Sequence, residues 1–196
     1  MKQYLLPLFL SVLYCCPSMM AQCNIALDQY DEFDSTRLVA TQPMNIGYLI
    51  VSGNVPENLE GKEYVEEAKV LFSYSDEKNI RSFFLSIMVA ERKFYMINEG
   101  FNVMLKFKEG PIVVLFNDPE NGEFDRNILM WKYLHTAIVP LEVFHALKND
   151  LVEKIRINYK NYKKTIELEE SQQKALQQAV RCVEQRLNKE LRNIRP

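Results

Sequence analysis

The chain is 196 residues long, 47% of its residues are hydrophobic, and its formal net charge is −2. This length and composition predict one domain with a hydrophobic core of its own. A chain with a small negative charge lacks the basic surface that nucleic acid binding requires. We therefore expect no nucleic acid partner.

The N-terminus has the pattern of an export signal. Lys2 supplies one positive charge, and the uncharged, mostly apolar run Tyr4–Tyr14 follows it. This run is shorter than the roughly 20 residues that a membrane-spanning helix needs, but it suits the apolar part of a signal peptide. Pro17 ends the run, and Ala21 offers a small side chain to the peptidase. The sequence predicts a signal peptide over residues 1–21 and one mature domain over 22–196.

Export implies the periplasm, the cell surface or the medium. No later apolar run approaches about 18 residues without charges, so we expect no transmembrane segment after signal removal. A lipid anchor at Cys23 is disfavoured, because Gln22 stands where lipoprotein signals carry a small residue. The partner is then an unknown protein or ligand of the envelope.

Two cysteines remain in the predicted mature chain, Cys23 and Cys182. In an oxidising compartment a pair of cysteines suggests one bridge, here from the N-terminus to a helix near the C-terminus. The alternative is two unpaired thiols, one of them close to a terminus. Both interpretations stay open at the level of sequence.

The first third of the mature chain predicts short elements. Asn24–Asp34 is polar and acidic, as in a lead-in segment, and Arg37–Ala40 and Ile46–Val51 are typical of strands. Ser52–Gly61 has the Gly, Asn and Pro content of a loop. Glu63–Ala68 is interpreted as a turn of helix.

The next segment predicts a β-hairpin. Apolar residues alternate on both sides of a four-residue loop, Asp76–Asn79. This loop would pair Phe72 with Phe83 and Val70 with Leu85, so that the apolar side chains share one face.

A second hairpin is predicted to turn at Glu109–Gly110, because Gly accepts positive φ. It would set Leu105 opposite Val114. Pro111 cannot donate the hydrogen bond that closes a two-residue loop, so the turn is allowed one more residue. Leu115 and its neighbours make the other face apolar too, which predicts a central strand.

A third hairpin joins Val152–Tyr159 to Tyr162–Leu168 and pairs Ile155 with Ile166. Before it, Ile128–Val139 is typical of another strand. Between this strand and the third hairpin lies a short helix near 140–148, opened by a proline at a permitted first-turn position.

The C-terminal segment Glu169–Ile194 is strongly amphipathic. Its apolar residues recur at spacings of three and four, on one face of a helix: Leu176, Val180, Val183, Leu187, Leu191 and Ile194. Packing on the sheet is the favoured arrangement, and a helix–helix dimer is the alternative. The predicted fold class is therefore α+β, a mostly antiparallel sheet built from hairpins with this long helix packed on it.

The chain resembles exported proteins of Gram-negative envelope proteomes that have no assigned activity. The resemblance rests on the opening Tyr30-Asp31-Glu32-Phe33-Asp34 with Thr41-Gln42-Pro43 behind it, and on the late strand Leu151–Ile157 after the helix end Ala146-Leu147-Lys148. It implies the fold and the compartment. It carries over no functional residue.

Candidate chemistry is sparse. His135 and His145 lack partners at metal-ligand spacing, and Cys182 lies inside a helix, a poor place for an activated thiolate. The oxygen-rich segment Asn117–Asp125 does not match a calcium loop, since Pro119 would occupy a ligand position. The sequence predicts no catalytic residue, no cofactor and no metal site.

Aromatic residues suggest the one candidate ligand platform, Trp131 and Tyr133, which take alternate positions of one strand. Two functions follow as hypotheses. The first is a non-catalytic interaction or structural module of the cell envelope. The second is a periplasmic or surface binding protein for an apolar or carbohydrate ligand.

Overall fold

The computed structural model describes residues 23–53, 64–78 and 80–193. The predicted signal peptide lies outside these residues, as does most of the loop predicted at Ser52–Gly61. The described part of the chain contains ten strands and two helices. The strands are β1 (Ile25–Asp31), β2 (Thr36–Thr41), β3 (Met44–Val51), β4 (Tyr64–Glu77), β5 (Ile80–Glu91), β6 (Gly100–Phe107), β7 (Ile112–Asp125), β8 (Met130–Val139), β9 (Val152–Asn158) and β10 (Lys163–Glu167). The helices are α1 (Leu141–Asn149) and α2 (Glu170–Asn193).

All ten strands belong to one antiparallel sheet, so the predicted α+β class is confirmed, with a larger strand content than the hairpins alone suggested. The strand order is β1-β2-β4-β5-β8-β7-β6-β9-β10, and β3 pairs with β4 beside β2. β2 and β3 lie end to end along one edge of β4, separated by Gln42 and Pro43. Proline has no N–H to give to a ladder, so the strand breaks there.

The broken strand bends the sheet. A β-bulge follows the break, between Ile46 and Leu49, and Gly47 within it has φ +78°. A side chain at Gly47 would meet Glu67 Oε2 at 2.5 Å and Ile166 Cγ2 at 3.2 Å. Bulges bend the strand that carries them. The bend brings β3 against β10, the far edge of the sheet.

The helices cover one face of this curled sheet. Leu176, Val180 and Val183 of α2 are buried in the core, which confirms that the amphipathic helix packs on the sheet. α1 begins after Pro140, as predicted, and its Phe144 ring stacks on Phe83 with centroids 4.3 Å apart. Burial of these apolar side chains between the helices and the sheet is the main stabilising contribution in this part of the fold.

The register of the first hairpin differs from the prediction by two residues. Phe72 pairs with Leu85 and Val70 pairs with Ile87, a shift of two residues from the predicted pairs. The turn is tighter than predicted because Lys78 adopts φ 49°, a conformation of short hairpin turns. A shift of two keeps every side chain on its predicted face.

The turn of the second hairpin is one residue longer than a two-residue loop, as the prediction allowed because of Pro111. Leu105 pairs with Val113, so Val114 moves to the face opposite the helices and is exposed. The prediction that this strand is covered on both faces is therefore wrong. In the third hairpin the predicted pair Ile155 and Ile166 is confirmed.

Two further predictions are corrected near the N-terminus. The predicted lead-in contains β1, which pairs with β2, and the predicted helical turn at Glu63–Ala68 is the start of β4. Pairing with neighbouring strands overrides a weak local preference in both places.

Asp28 is held on β1 by ion pairs with Arg37 and Arg186, which lower the pKa of its carboxyl against the opposing effect of burial.

A disulfide joins Cys23 to Cys182, with Cα atoms 5.2 Å apart and a sequence separation of 159. Of the two interpretations of the cysteines, the structure shows the bridge. It ties the segment before β1 to the middle of α2. A cross-link that closes so long a loop restricts the unfolded chain strongly.

We expect reduction of this bridge to lower the free energy of unfolding by about 2–4 kcal/mol. Urea unfolding with and without dithiothreitol measures the effect. Cys23 is exposed whereas Cys182 is buried, so Cys23→Ser removes the bridge without a change in the core. Cys23→Ser should match the reduced wild-type protein, and an unchanged unfolding midpoint in both would contradict the prediction.

Candidate functional site

The aromatic pair singled out from the sequence is not an exposed platform. Tyr133 is only 2% exposed, and its hydroxyl accepts a hydrogen bond from the backbone N–H of Tyr95 at 2.6 Å. Trp131 is half-buried between Phe94 and Phe124, with ring centroids at 4.9 and 5.3 Å. Alternation along β8 placed both rings on one face correctly, but that face is covered.

A groove of about 580 Å³ lies on the other side of the same strands. Its floor is apolar, and the cross-strand pair Met88 and Leu134 lies at its centre, next to Ala90. Tyr64 and Leu49 form one wall, and both side chains are largely exposed. The opposite wall is polar and belongs to β7.

The polar wall depends on a β-bulge in β7. The pairing with β8 shifts between Glu120 and Glu123, so β7 carries one extra residue there. Residues three apart on a regular strand point to opposite faces, but the bulge puts both carboxylates on the groove. Gly122 is needed within it, because a Cβ at this position would lie 2.6 Å from the ring of Tyr133.

The two lysines of the groove form ion pairs, whereas its rim carries exposed acidic and amide groups. Lys69 pairs with Glu66 at 2.6 Å, and Lys132 pairs with Asp125 at 2.9 Å. The hydrogen bond from Lys69 lowers the pKa of the Glu66 carboxyl. Both cations of the groove are thus neutralised locally. The exposed rim that is left consists of Glu120, Asn121 and Glu123, which offer hydrogen-bond acceptors to a ligand.

A second polar region lies beneath the covered face, where tyrosines surround His135. The imidazole is fully buried, with Nε2 3.2 Å from the Tyr159 hydroxyl and Nδ1 3.3 Å from the Asn117 amide nitrogen. An amide nitrogen is a donor, so Nδ1 accepts and Nε2–H donates to Tyr159. Burial lowers the pKa of His135 to about 4 and raises the pKa of Tyr159. The neutral imidazole satisfies both neighbours.

The buried acid Glu91 continues this polar region toward the end of β5. Burial raises the pKa of its carboxyl, although Lys164 acts in the other direction. The Lys164 ammonium lies 2.6 Å from Glu67 and 3.9 Å from Glu91. Burial works to lower the pKa of Lys164, but the hydrogen bond to Glu67 and the charge of Glu91 raise it overall.

Sequence reasoning missed both polar regions. Glu91 continues the inward alternation of Leu85, Ile87 and Val89, so a charged residue at an inward position was a usable signal. The groove had no local signal, because its walls come from β3, β4 and β7, which are far apart in the sequence. Of the two histidines, His135 is buried in the second polar region and His145 is exposed on α1.

Within the described residues, no three His, Cys, Asp or Glu side chains are grouped as a metal site. None of the helices in that part of the chain is both long enough and apolar enough to cross a membrane. Searches for similar proteins found no matching family model, no matching curated protein and no matching solved structure. The geometry of the groove and of the buried polar region is therefore the basis for functional inference.

We expect His135 to make the protein less stable in acid. Its pKa is about 4 in the folded protein and about 6.5 in the unfolded chain, so the unfolded chain binds the proton first. The stability contributed by the neutral imidazole is complete above pH 6.5 and falls by about 3 kcal/mol as the pH decreases toward 4. Urea unfolding across this range measures it.

The matched control is the second histidine, His145, which is exposed. His135→Gln should flatten the pH dependence relative to wild type, whereas His145→Gln should leave it unchanged. Glu91 contributes a trend of the opposite sign in both proteins, so the difference between variant and wild type is the quantity compared. Parallel curves for His135→Gln and wild type would contradict the assignment.

Proposed function

We propose that this protein is an exported, non-catalytic binding protein that holds a hydroxyl-rich amphipathic small molecule, of the carbohydrate class, in the groove over β5 and β8. The observation that carries the proposal is the combination of an apolar floor with a rim of carboxylate and amide groups. The volume, about 580 Å³, lies within the range of small-molecule sites, roughly 300–1,000 Å³.

A sugar ring has apolar C–H faces and a periphery of hydroxyl groups. The Tyr64 ring and the Met88–Leu134 floor suit the apolar face. Glu120, Asn121 and Glu123 suit the hydroxyl groups, because ionised carboxylates accept hydrogen bonds and an amide both donates and accepts. The neutralised lysines of the groove add no preference for an anion.

The groove favours binding over chemistry. Glycoside hydrolysis needs one carboxylic acid that stays protonated near neutral pH, and proteins achieve this by burying it. Glu120 and Glu123 are both exposed at the rim. The pair therefore lacks the buried environment of a general acid.

Several features support the exported location. The N-terminal pattern is that of a signal peptide, and the resemblance to Gram-negative envelope proteins implies the same compartment. The Cys23–Cys182 bridge adds an independent argument, because disulfides persist in oxidising compartments such as the periplasm.

We expect Tyr64→Ala to weaken carbohydrate binding at least tenfold, because the exposed ring supplies one wall of the groove. A glycan array, followed by calorimetry on the strongest hit, measures the affinity. Tyr48→Ala is the matched control: Tyr48 is also 59% exposed, like Tyr64, but does not line the groove. An array without hits, or equal losses in both variants, would overturn the proposal.

The second candidate function is an interaction module of the cell envelope, and one observation favours it. A row of apolar side chains crosses the sheet face opposite the helices: Phe84, Ile138, Phe116 and Phe101. Phe84 pairs with Ile138, and Phe101 meets Phe116 edge to face at 5.4 Å. Contiguous exposed apolar surface marks protein interfaces.

For this candidate we expect a photo-crosslinker at Phe101 to capture one defined partner in the producing cell. Phe101 is 72% exposed, and Leu141, at 60%, provides the control position away from the row. The crosslink should be absent at Leu141 and should be lost when Phe84 and Phe116 are changed to Ser. The same bands from both positions would contradict a specific interface.

A further inference from the structure

A second cavity, of about 370 Å³, lies at the end of β5, beyond the groove. Among the described lining residues the two spaces share only Ala90. The cavity is lined by Ile50, Glu91, Tyr95, Met130, Tyr162 and Lys164, with Arg92 and Lys93 at its rim. Its lining is more polar than the floor of the groove.

The unpartnered side chain of Glu91 suggests that this cavity binds a ligand. Its side chain is buried, with 6% of the residue exposed, and its Oε1 has no hydrogen-bond partner in the described part of the chain. Lys164 Nζ lies 3.9 Å away, which is an ion-pair distance but too long for a hydrogen bond. The ammonium is instead bonded to Glu67 at 2.6 Å. A buried acceptor without a donor is rare and destabilising in proteins.

The local charge defines the donor that would satisfy Glu91. Lys164 is committed to Glu67, which leaves the Glu91 carboxyl without a cation within hydrogen-bond distance. Tyr95 and Tyr162 also line this space, with their rings stacked at a centroid distance of 4.2 Å. A protonated amine supplies the donor that Glu91 lacks.

The rim of the same cavity has the opposite sign. Arg92 and Lys93 are exposed, and Arg92 donates one hydrogen bond to the Val51 carbonyl at 3.4 Å. Cations at the rim repel a simple amine and attract a carboxylate. A ligand that carries an ammonium group at one end and a carboxylate close to it suits both the interior and the rim.

We propose that this cavity binds a zwitterionic amino acid, with its ammonium group on Glu91 Oε1 and its carboxylate at Arg92 and Lys93. The apolar side chains of Ile50 and Met130 lie beside this position and suit an apolar amino acid side chain. The site is separate from the groove, so the proposal does not depend on carbohydrate binding.

The test begins with the mature protein and the twenty amino acids, one at a time, in a thermal-shift assay at neutral pH. The amino acid with the largest shift is then compared by calorimetry with its decarboxylated amine and its deaminated acid. We expect the amino acid to bind at least tenfold more tightly than either of the other two. A panel with no shift overturns the proposal, and so does an acid that binds as well as the amino acid.

Glu91→Gln removes the charge and keeps the shape, so it should reduce amino acid affinity at least tenfold. Lys93→Ala should weaken the amino acid but not the amine. Glu123→Gln, in the groove, is the control and should bind the amino acid as wild type does. Unchanged affinity in Glu91→Gln overturns the proposal. The comparison of amine and acid decides the question if that variant does not fold.

Discussion

The break between β2 and β3 is the constraint on which the rest of the structure depends. One long strand would pair with β4 along its whole length and keep the sheet open. Pro43 interrupts the ladder, and the bulge at Gly47 then turns β3 toward β10. Close contact is possible only because Gly47 has no side chain between Glu67 and Ile166. Gln172 of α2 fixes the corner with a hydrogen bond to the Gly47 carbonyl.

This bend divides the molecule into two halves of different chemistry. On one side, α1 and α2 cover the middle of the sheet with a filled apolar core. On the other side, the groove and the second cavity lie at the ends of β4, β5 and β8. Polar and charged residues collect there, with Glu91 and Lys164 on the inside and the rim of the groove on the outside. We infer that the first half stabilises the fold and that the second half binds.

The sequence predicts the parts of the structure that depend on local periodicity. Alternation found the hairpins, and spacings of three and four found α2, because one face of each element is buried against the same core. Registers were less predictable, since turn geometry at Lys78 and Pro111 decides them. A register shift of two residues left every side chain on its predicted face, whereas a shift of one moved Val114 to the exposed face.

The candidate site was hardly predictable from the sequence. Its walls depend on contacts between strands distant in the chain, and on a bulge that local propensity does not reveal. Tyr133 is an example. Alternation along the strand correctly predicted that Tyr133 and Trp131 share one face, but whether that face is covered depends on the sheet as a whole. Glu91 was the exception, because a charge at an inward strand position calls for a partner.

The central claim is that the curled end of the sheet is a binding site for small molecules. Native mass spectrometry of the protein purified from the organism that makes it tests this most directly. The account predicts a chain that begins at Gln22, is two hydrogens lighter than its reduced form, and carries an additional small-molecule mass that dissociates on activation. A bare chain in every charge state, even from freshly lysed cells, would contradict the account.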